Sequence, residues 1–144
     1  MKFTIPGEAT GKGRPRVVSR GGFARAYTPE KTAAYENLIK LEFERQCRGE
    51  FYGAGTAIRM KLIIYQQPAK SDSKRKTAAK LAGEIRPTKK PDCSNVLKSI
   101  EDGLNGVAYA DDAQIVEIEV QKYYDLHPRV EVEIETAEGG YNNG

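Results

Sequence analysis

Apolar and polar residues alternate along three segments of this chain, as in strands with one buried face. The segments are residues 56–66, 114–124 and 129–136, and a shorter strand is predicted at 2–5, ended by Pro6-Gly7. Only Asp125-Leu126-His127-Pro128 joins the last two, so we expect them to pair as an antiparallel hairpin.

Two other segments carry apolar residues at helical spacing. In the first, the stripe is Tyr35, Leu38, Ile39 and Phe43, in a helix that begins after Thr28-Pro29 and runs to about Arg48, before Gly49. The second predicted helix covers residues 92–104 and ends at Asn105-Gly106. Residues 70–82, rich in Lys and Ala, predict a short exposed helix or a mobile basic segment.

The remaining segments predict irregular structure. Residues 6–28, rich in Gly and Arg, predict a long basic loop, and residues 139–144 predict a disordered polar tail. The chain has 144 residues, 39% of them hydrophobic and 30% charged, which is the composition of one folded domain. We therefore predict a single α+β domain over residues 1–144, with a mixed or antiparallel sheet and flanking helices.

Charge is distributed unevenly along the chain. Residues 1–50 have a net charge of +4, residues 51–100 of +8 and residues 101–144 of −9, within a total of +3. The basic two-thirds can attract a polyanion through counterion release. For the acidic last third alone, solvated surface charge is the simpler interpretation.

Composition also excludes some classes of protein. No apolar segment reaches the roughly 20 residues that a membrane helix needs, and the residues from Met1 to Pro6 lack the apolar core of a signal peptide. The only cysteines, Cys47 and Cys93, lack C-x-x-C spacing. We expect a cytoplasmic protein with reduced thiols, no membrane association and no nucleotide cofactor.

The predicted helix at 92–104 has a polar face. At about 100° per residue, Asn95, Lys98 and Asp102 lie opposite the apolar side. Asp92 stands at the N-terminal end of the helix, where capping is the ordinary role of an aspartate. Solvated surface is the ordinary interpretation of the other three.

A pair of adjacent carboxylates changes that interpretation. Asp111-Asp112 comes directly before a predicted strand, where turn residues are common. Together with Asp92, however, the pair offers hard oxygen ligands from separate elements of a basic protein. This combination predicts a divalent metal held against phosphate, with Lys98 stabilising charge or polarising the attacking water.

Basic residues predict phosphate contacts in two places. The first group, interleaved with glycines, is Lys12, Arg14, Arg16 and Arg20; the second is Lys74, Arg75 and Lys76. Arginine makes planar, bidentate contacts to phosphate, and glycine lets the backbone approach closely. A flexible solvated loop is the alternative for the first group, and a merely solubilising surface for the second.

These segments resemble the RusA-type Holliday junction resolvases, endodeoxyribonucleases of phage and prophage origin. The family motif is Pro-Asp-x-Asp-Asn-x-x-Lys, then a helix, then Asp-Asp-x-Gln followed by Ile or Val. The matching segments are Pro91-Asp92-Cys93-Ser94-Asn95-Val96-Leu97-Lys98 and Asp111-Asp112-Ala113-Gln114-Ile115. Gly11-Lys12-Gly13-Arg14-Pro15-Arg16 is also similar to the opening of the family, and the resemblance spans roughly residues 3–135.

The resemblance implies a homodimeric, magnesium-dependent endonuclease that cuts a four-way DNA junction in recombination and repair, with manganese as an alternative metal. It implies Asp92 and Asp112 as catalytic metal ligands, with Asp111 or Ser94 as a weaker third ligand. Lys98 would be the catalytic cation, supported by Asn95 and Asp102.

Ser94 departs from the family motif, which has an aspartate there. A hydroxyl can ligate a metal but supplies no negative charge. Asp111 or Asp102 would compensate in an active enzyme, whereas a Ser94 that only caps the helix would suit a protein that binds junctions without cutting them well. A metal nuclease acting on other branched DNA is the third alternative.

Overall fold

The computed structural model describes residues 1–13, 16–20, 23–27 and 30–137, with only the backbone described for the second and third ranges. These residues form strands β1 (Lys2–Pro6), β2 (Arg16–Arg20), β3 (Phe23–Tyr27), β4 (Ile58–Gln66), β5 (Ile115–Tyr124) and β6 (Arg129–Thr136). The helices are α1 (Glu30–Gln46), α2 (Lys74–Leu81) and α3 (Cys93–Leu104), and a 3₁₀ turn covers Asp112–Gln114. The predicted tail, residues 139–144, lies outside the described residues.

A mixed sheet organises the fold. Its strand order is β1-β6-β4-β5, with β4 parallel to β5 and antiparallel to β6, and β1 antiparallel to β6. The prediction of a single α+β domain with a mixed sheet and flanking helices is thus confirmed. No helix within the described ranges is long and apolar enough to cross a membrane.

The predicted pairing of the last two strands is wrong, although both strands exist. Strand β4 lies between β5 and β6. Four linking residues reach about 13 Å when extended, and crossing one intervening strand needs only about 9.6 Å. The alternating side chains of β4 are fully buried, namely Ile58, Met60, Leu62 and Ile64. The apolar face of β4 is buried because β4 occupies a central position in the sheet. A direct hairpin of β5 and β6 would exclude β4 from that position.

The predicted loop over residues 6–28 is also wrong in part. Strands β2 and β3 pair antiparallel, with Arg16 opposite Tyr27 and Arg20 opposite Phe23. In the sequence, Gly21-Gly22 separates two five-residue segments, a spacing typical of a two-residue hairpin connection. The glycine and arginine content masked this signal.

Helices α1 and α3 approach each other closely and, with the sheet, enclose the core. Phe3 of β1 meets Phe43 of α1 edge to face, with ring centroids 5.4 Å apart. A Cβ atom added at Gly103 would lie 3.0 Å from Ile39 Cγ2, so glycine permits the close approach of the two helices. Because α3 buries Val96, Ile100 and Leu104, its opposite face points away from the core.

Candidate active site

Asp92 immediately precedes α3, but its side chain does not cap the helix. Its Oδ1 accepts a hydrogen bond from Asn95 Nδ2 at 2.8 Å, and its Oδ2 accepts a longer contact of 3.4 Å from Ser94 Oγ. Asp92, Ser94 and Asn95 are all exposed. The carboxylate is therefore oriented by neighbouring side chains rather than by the helix N–H groups, and it stays open to a ligand.

The predicted polar face of α3 is confirmed, since Asn95 and Lys98 are exposed and Asp102 is half-buried. Lys98 Nζ lies 3.1 Å from Asp102 Oδ1, one helical turn further on. The hydrogen bond and charge of Asp102 raise the pKa of Lys98. Lys98 is therefore an ammonium ion at neutral pH, held on the same face as Asn95.

Lys12 joins this face from another part of the chain. Its Nζ lies 2.5 Å from Glu36 Oε1 of α1 and 3.1 Å from Asp102 Oδ2 of α3. Burial lowers the pKa of Lys12, but the hydrogen bonds and charges of the two carboxylates outweigh it, and the net shift is upward. Asp102 thus binds a lysine through each of its two oxygens.

The backbone around Lys12 is fixed as well. Lys12 N donates to Asn95 O at 3.0 Å, and Gly13 N donates to Thr32 Oγ1 at 2.9 Å. A Cβ atom at Gly11 would lie 3.1 Å from Asn95 Cβ, which is tighter than ordinary contact. The segment that leads into the β2–β3 hairpin is therefore fastened between α1 and α3.

Asp111 and Asp112 have different environments in the turn before β5. Asp111 caps the 3₁₀ turn, and its Oδ2 accepts a hydrogen bond from Ala113 N at 3.2 Å. Gln114 completes a capping box, because its Oε1 accepts from Asp111 N at 2.9 Å. Gln114 Nε2 also donates to Gly53 O at 2.9 Å and Thr56 O at 3.1 Å, which ties the turn to the loop before β4.

The charge of Asp112 acts on α3. Burial raises the pKa of Glu101, and the negative charge of Asp112 is the next largest cause of the rise. The same charge contributes to the raised pKa of Lys98. Tyr109 braces the connection, because its buried hydroxyl donates to Glu101 O at 2.8 Å. Asp112 therefore lies close enough to α3 for its charge to act on both Lys98 and Glu101.

The oxygen groups of Asp92, Asp112 and Ser94 are chemically suited to a divalent cation whose remaining ligands would be waters and phosphate oxygens. Within the part of the chain that the structure describes, no three His, Cys, Asp or Glu residues converge as a ready metal site. Magnesium is, however, commonly bound by one or two carboxylates together with waters and substrate phosphates. For such an ion Asp92 and Asp112 would supply carboxylates, and Ser94 would supply a hydroxyl in the place where the motif has a third acid.

Asp92 opens into a groove of about 630 Å³. One wall is formed by residues 9–13, and the others by the starts of α1 and α3. Lys12, Lys31 and Lys90 all line it, as do Asp92 and Asn95. A basic groove that leads to a carboxylate is suited to a phosphate chain approaching a metal.

The other predicted phosphate-binding residues are distributed as follows. Lys74, Arg75 and Lys76 occupy the first turn of α2 and are exposed. A buried ion pair between Lys80 and Asp72 anchors this helix. Arg16 and Arg20 lie in β2, whose side chains are not described, and Arg14 lies outside the described residues. Their contacts with DNA stay a prediction.

The motif residues at the start of α3 and in the turn before β5 lie within a segment that matches a known protein family. Residues 6–135 match the family described as Endodeoxyribonuclease RusA. The chain belongs to this family. A relative named Uncharacterized protein YqaN, from Bacillus subtilis (strain 168), is 38% identical over 136 residues, which are 93% of this chain and 94% of that protein. The resemblance predicted from the motif is thus confirmed over nearly the whole chain, and the family to which the chain belongs is one of endodeoxyribonucleases.

Sequence reasoning missed the roles of three residues at this site. Gln114 was matched to the family motif without a role, although an aspartate followed three residues later by glutamine is a capping-box signal. Glu101 was not considered, because it lies between the polar and apolar faces of α3. Glu36 was assigned no role, since its partner Lys12 lies in a different segment of the chain.

Proposed function

We propose that this protein is a magnesium-dependent, structure-specific endodeoxyribonuclease that resolves four-way DNA junctions in recombination and repair. The observation that carries the proposal is the convergence on α3 of the family's acidic and basic residues. Asp92 stands at the start of the helix, Lys98 on its exposed face, and Asp112 close enough to act on the pKa of Lys98. Metal-assisted phosphodiester hydrolysis uses this combination, in which hard oxygen ligands hold the metal and a fixed cation stabilises charge on the phosphate.

Asp92 and Asp112 would hold the magnesium ion, with the Ser94 hydroxyl as a weaker third ligand. Manganese, which accepts the same oxygen ligands, would serve as an alternative. When bound, such a metal lowers the pKa of a bound water and neutralises charge on the phosphate. Asp111 is the less suitable ligand, because its carboxylate already caps the turn before β5. Asn95 supports the site by orienting Asp92.

Lys98 would stabilise negative charge that develops on the scissile phosphate. Its raised pKa keeps it protonated, so we assign it electrostatic stabilisation rather than proton abstraction. Its side chain is 54% exposed, so a phosphate can reach it. The groove beside Asp92 would guide the strand to be cut, while the exposed cations of α2 would contact a second arm of the junction.

We also propose that the protein acts as a homodimer in the cytoplasm. A four-way junction needs two symmetric cuts, and a two-fold dimer supplies two equivalent sites. Val116 and Ile118 support this, because they lie 60% and 50% exposed on β5, at one edge of the sheet. Light scattering of the protein, compared with Ile118→Glu, tests this assembly, and a monomeric unmodified protein would reject it.

A second candidate function is junction binding without efficient cleavage. Two observations favour it: Ser94 replaces a motif carboxylate, and the described residues hold no group of three convergent metal-binding side chains. A nuclease for flaps or other branched DNA is a variant of the first proposal, with the same site and a broader substrate.

The test is to incubate the purified protein with labelled four-way junction, flap and linear duplex DNA, with magnesium, manganese or neither. We expect paired cuts in the junction that require metal. Tight junction binding without cleavage would support the binding protein instead. Equal cutting of linear duplex would reject junction specificity, and preferential cutting of flaps would redirect the substrate.

A further inference from the structure

The ammonium group of Lys12 is already engaged by the protein itself. It lies 2.5 Å from Glu36 Oε1 and 3.1 Å from Asp102 Oδ2, and the side chains of all three residues are at most 25% exposed. A lysine that binds phosphate needs its charge free for the phosphate oxygens. Here two carboxylates compete for that charge, and partial burial protects both contacts from screening by salt.

Asp102 connects Lys12 to Lys98, because its carboxylate contacts both ammonium groups. Its Oδ2 contacts Lys12 and its Oδ1 contacts Lys98, each at 3.1 Å. An exposed ion pair one helical turn apart holds a lysine only weakly. The ammonium group of Lys12, bound to Oδ2, restricts rotation of the Asp102 carboxylate. The oxygen that contacts Lys98, Oδ1, is thereby held in a single orientation.

We propose that Lys12 is a positioning residue, which orients Asp102 and through it Lys98, rather than a phosphate ligand. This inference rests on the proposed function and names a residue that serves the same site from outside α3. The hydrogen bond from Lys12 N to Asn95 O places the ammonium beside α3, and Glu36 holds it from α1. Asp102 then contacts two cations, one through each of its carboxylate oxygens.

The test separates binding from cleavage. Single-turnover cleavage of the junction is measured at saturating Lys12→Met protein, and junction affinity is measured without metal over a range of salt concentrations. We expect cleavage to slow by about 10- to 100-fold, as when a group that orients a reacting residue is removed. We expect the salt dependence of binding to stay unchanged.

Lys31→Met is the matched comparison, because it removes the same charge from the same groove. It shows how a lost groove charge alone alters affinity and salt dependence. A phosphate contact by Lys12 would instead reduce the slope of log affinity against log salt by about 0.9. That result, with saturated cleavage at the normal rate, would overturn the inference.

Two further variants keep the inference testable if Lys12→Met is unstable. Glu36→Gln removes a negative charge, so a purely electrostatic account predicts tighter binding and cleavage that is equal or faster. Positioning through Lys12 predicts slower cleavage at saturation. In an Asp102→Asn background, Lys12→Met should slow cleavage no further, because the residue through which it acts is already gone.

The outcomes distinguish this inference from the function it rests on. If the unmodified protein does not cut the junction with magnesium or manganese, both fail. If it cuts the junction and the Lys12 and Glu36 variants cut at the same rate, only the positioning role fails. Additive effects of Lys12→Met and Asp102→Asn would likewise overturn that role alone.

Discussion

Replacing Gln114 by alanine should loosen the turn that carries Asp112. The Gln114 side chain accepts one hydrogen bond from Asp111 N and donates to Gly53 O and Thr56 O. Alanine removes these three contacts and a longer one of 3.5 Å to Tyr52 O, so the turn loses its side-chain link to the loop before β4. Asp112 then samples more orientations relative to α3.

The size of the effect follows from the number and exposure of these contacts. A hydrogen bond contributes about 0.5–1.5 kcal/mol net, and the lower half of this range applies because Gln114 is only half-buried. The free energy of unfolding should therefore fall by about 2 kcal/mol. For a domain of this size the midpoint of thermal unfolding should fall by about 7 °C.

Thermal unfolding followed by circular dichroism measures the stability, and junction cleavage at saturating protein measures the site. Gln121→Ala is the matched control, because Gln121 lies on β5 and makes a single exposed side-chain contact, to Glu119. It should change neither measurement appreciably. We expect Gln114→Ala to slow cleavage at temperatures where the protein is still fully folded.

Two results would refute this reasoning. If Gln114→Ala unfolds at the same temperature as Gln121→Ala, the three contacts contribute nothing to stability. If Gln114→Ala is less stable but cleaves at the normal rate, the anchoring of the turn does not position Asp112.

Asp112→Asn should abolish cleavage while junction binding stays intact or strengthens, because a metal ligand and a negative charge are lost. Gel shifts and cleavage assays on one preparation check this, and retained cleavage would reject Asp112 as a ligand. Ser94→Asp should raise the cleavage rate and lower the magnesium concentration needed for half-maximal activity, since it restores a carboxylate beside Asp92; an unchanged magnesium titration would show that the missing carboxylate is not limiting. Gly103→Ala should destabilise the protein by about 1–3 kcal/mol in chemical denaturation, because the new methyl group would press on Ile39. Gly53→Ala, whose added Cβ meets no atom within 4 Å, is its control, and equal stability of the two variants would contradict the close packing of α1 and α3.

Local patterns predicted the elements of this fold better than their arrangement. The helix at 92–104 and its two faces followed from the spacing of its residues, because side chains four apart meet on one helix whatever the rest of the chain does. The partner of a strand depends on distant segments. The short link between β5 and β6 therefore gave no indication that β4 lies between them.

The candidate site shows the same division. Asp92, Asn95 and Lys98 lie within one short segment, and the motif identified them together. The contacts of Lys12 with Glu36 and Asp102 join three separate parts of the chain. A basic residue between glycines predicts a phosphate contact in the same way whether or not the folded chain brings a carboxylate next to it. Only the packing of α1 against α3 distinguishes these outcomes.

The parallel pairing of β4 with β5 joins segments that are far apart in the chain. Ile58 pairs with Ile115, about 57 residues later, and α2 and α3 lie between them. Pairing over such a separation is slow, because the entropy of closing the loop is lost before any contact compensates for it. Asp92 and Lys98 lie at the start of α3 and on it, between the two strands, whereas Asp112 directly precedes β5. A nascent or partly folded chain therefore carries Asp92 and Asp112 on segments that have not yet met, so the proposed cutting of DNA would require a completed sheet.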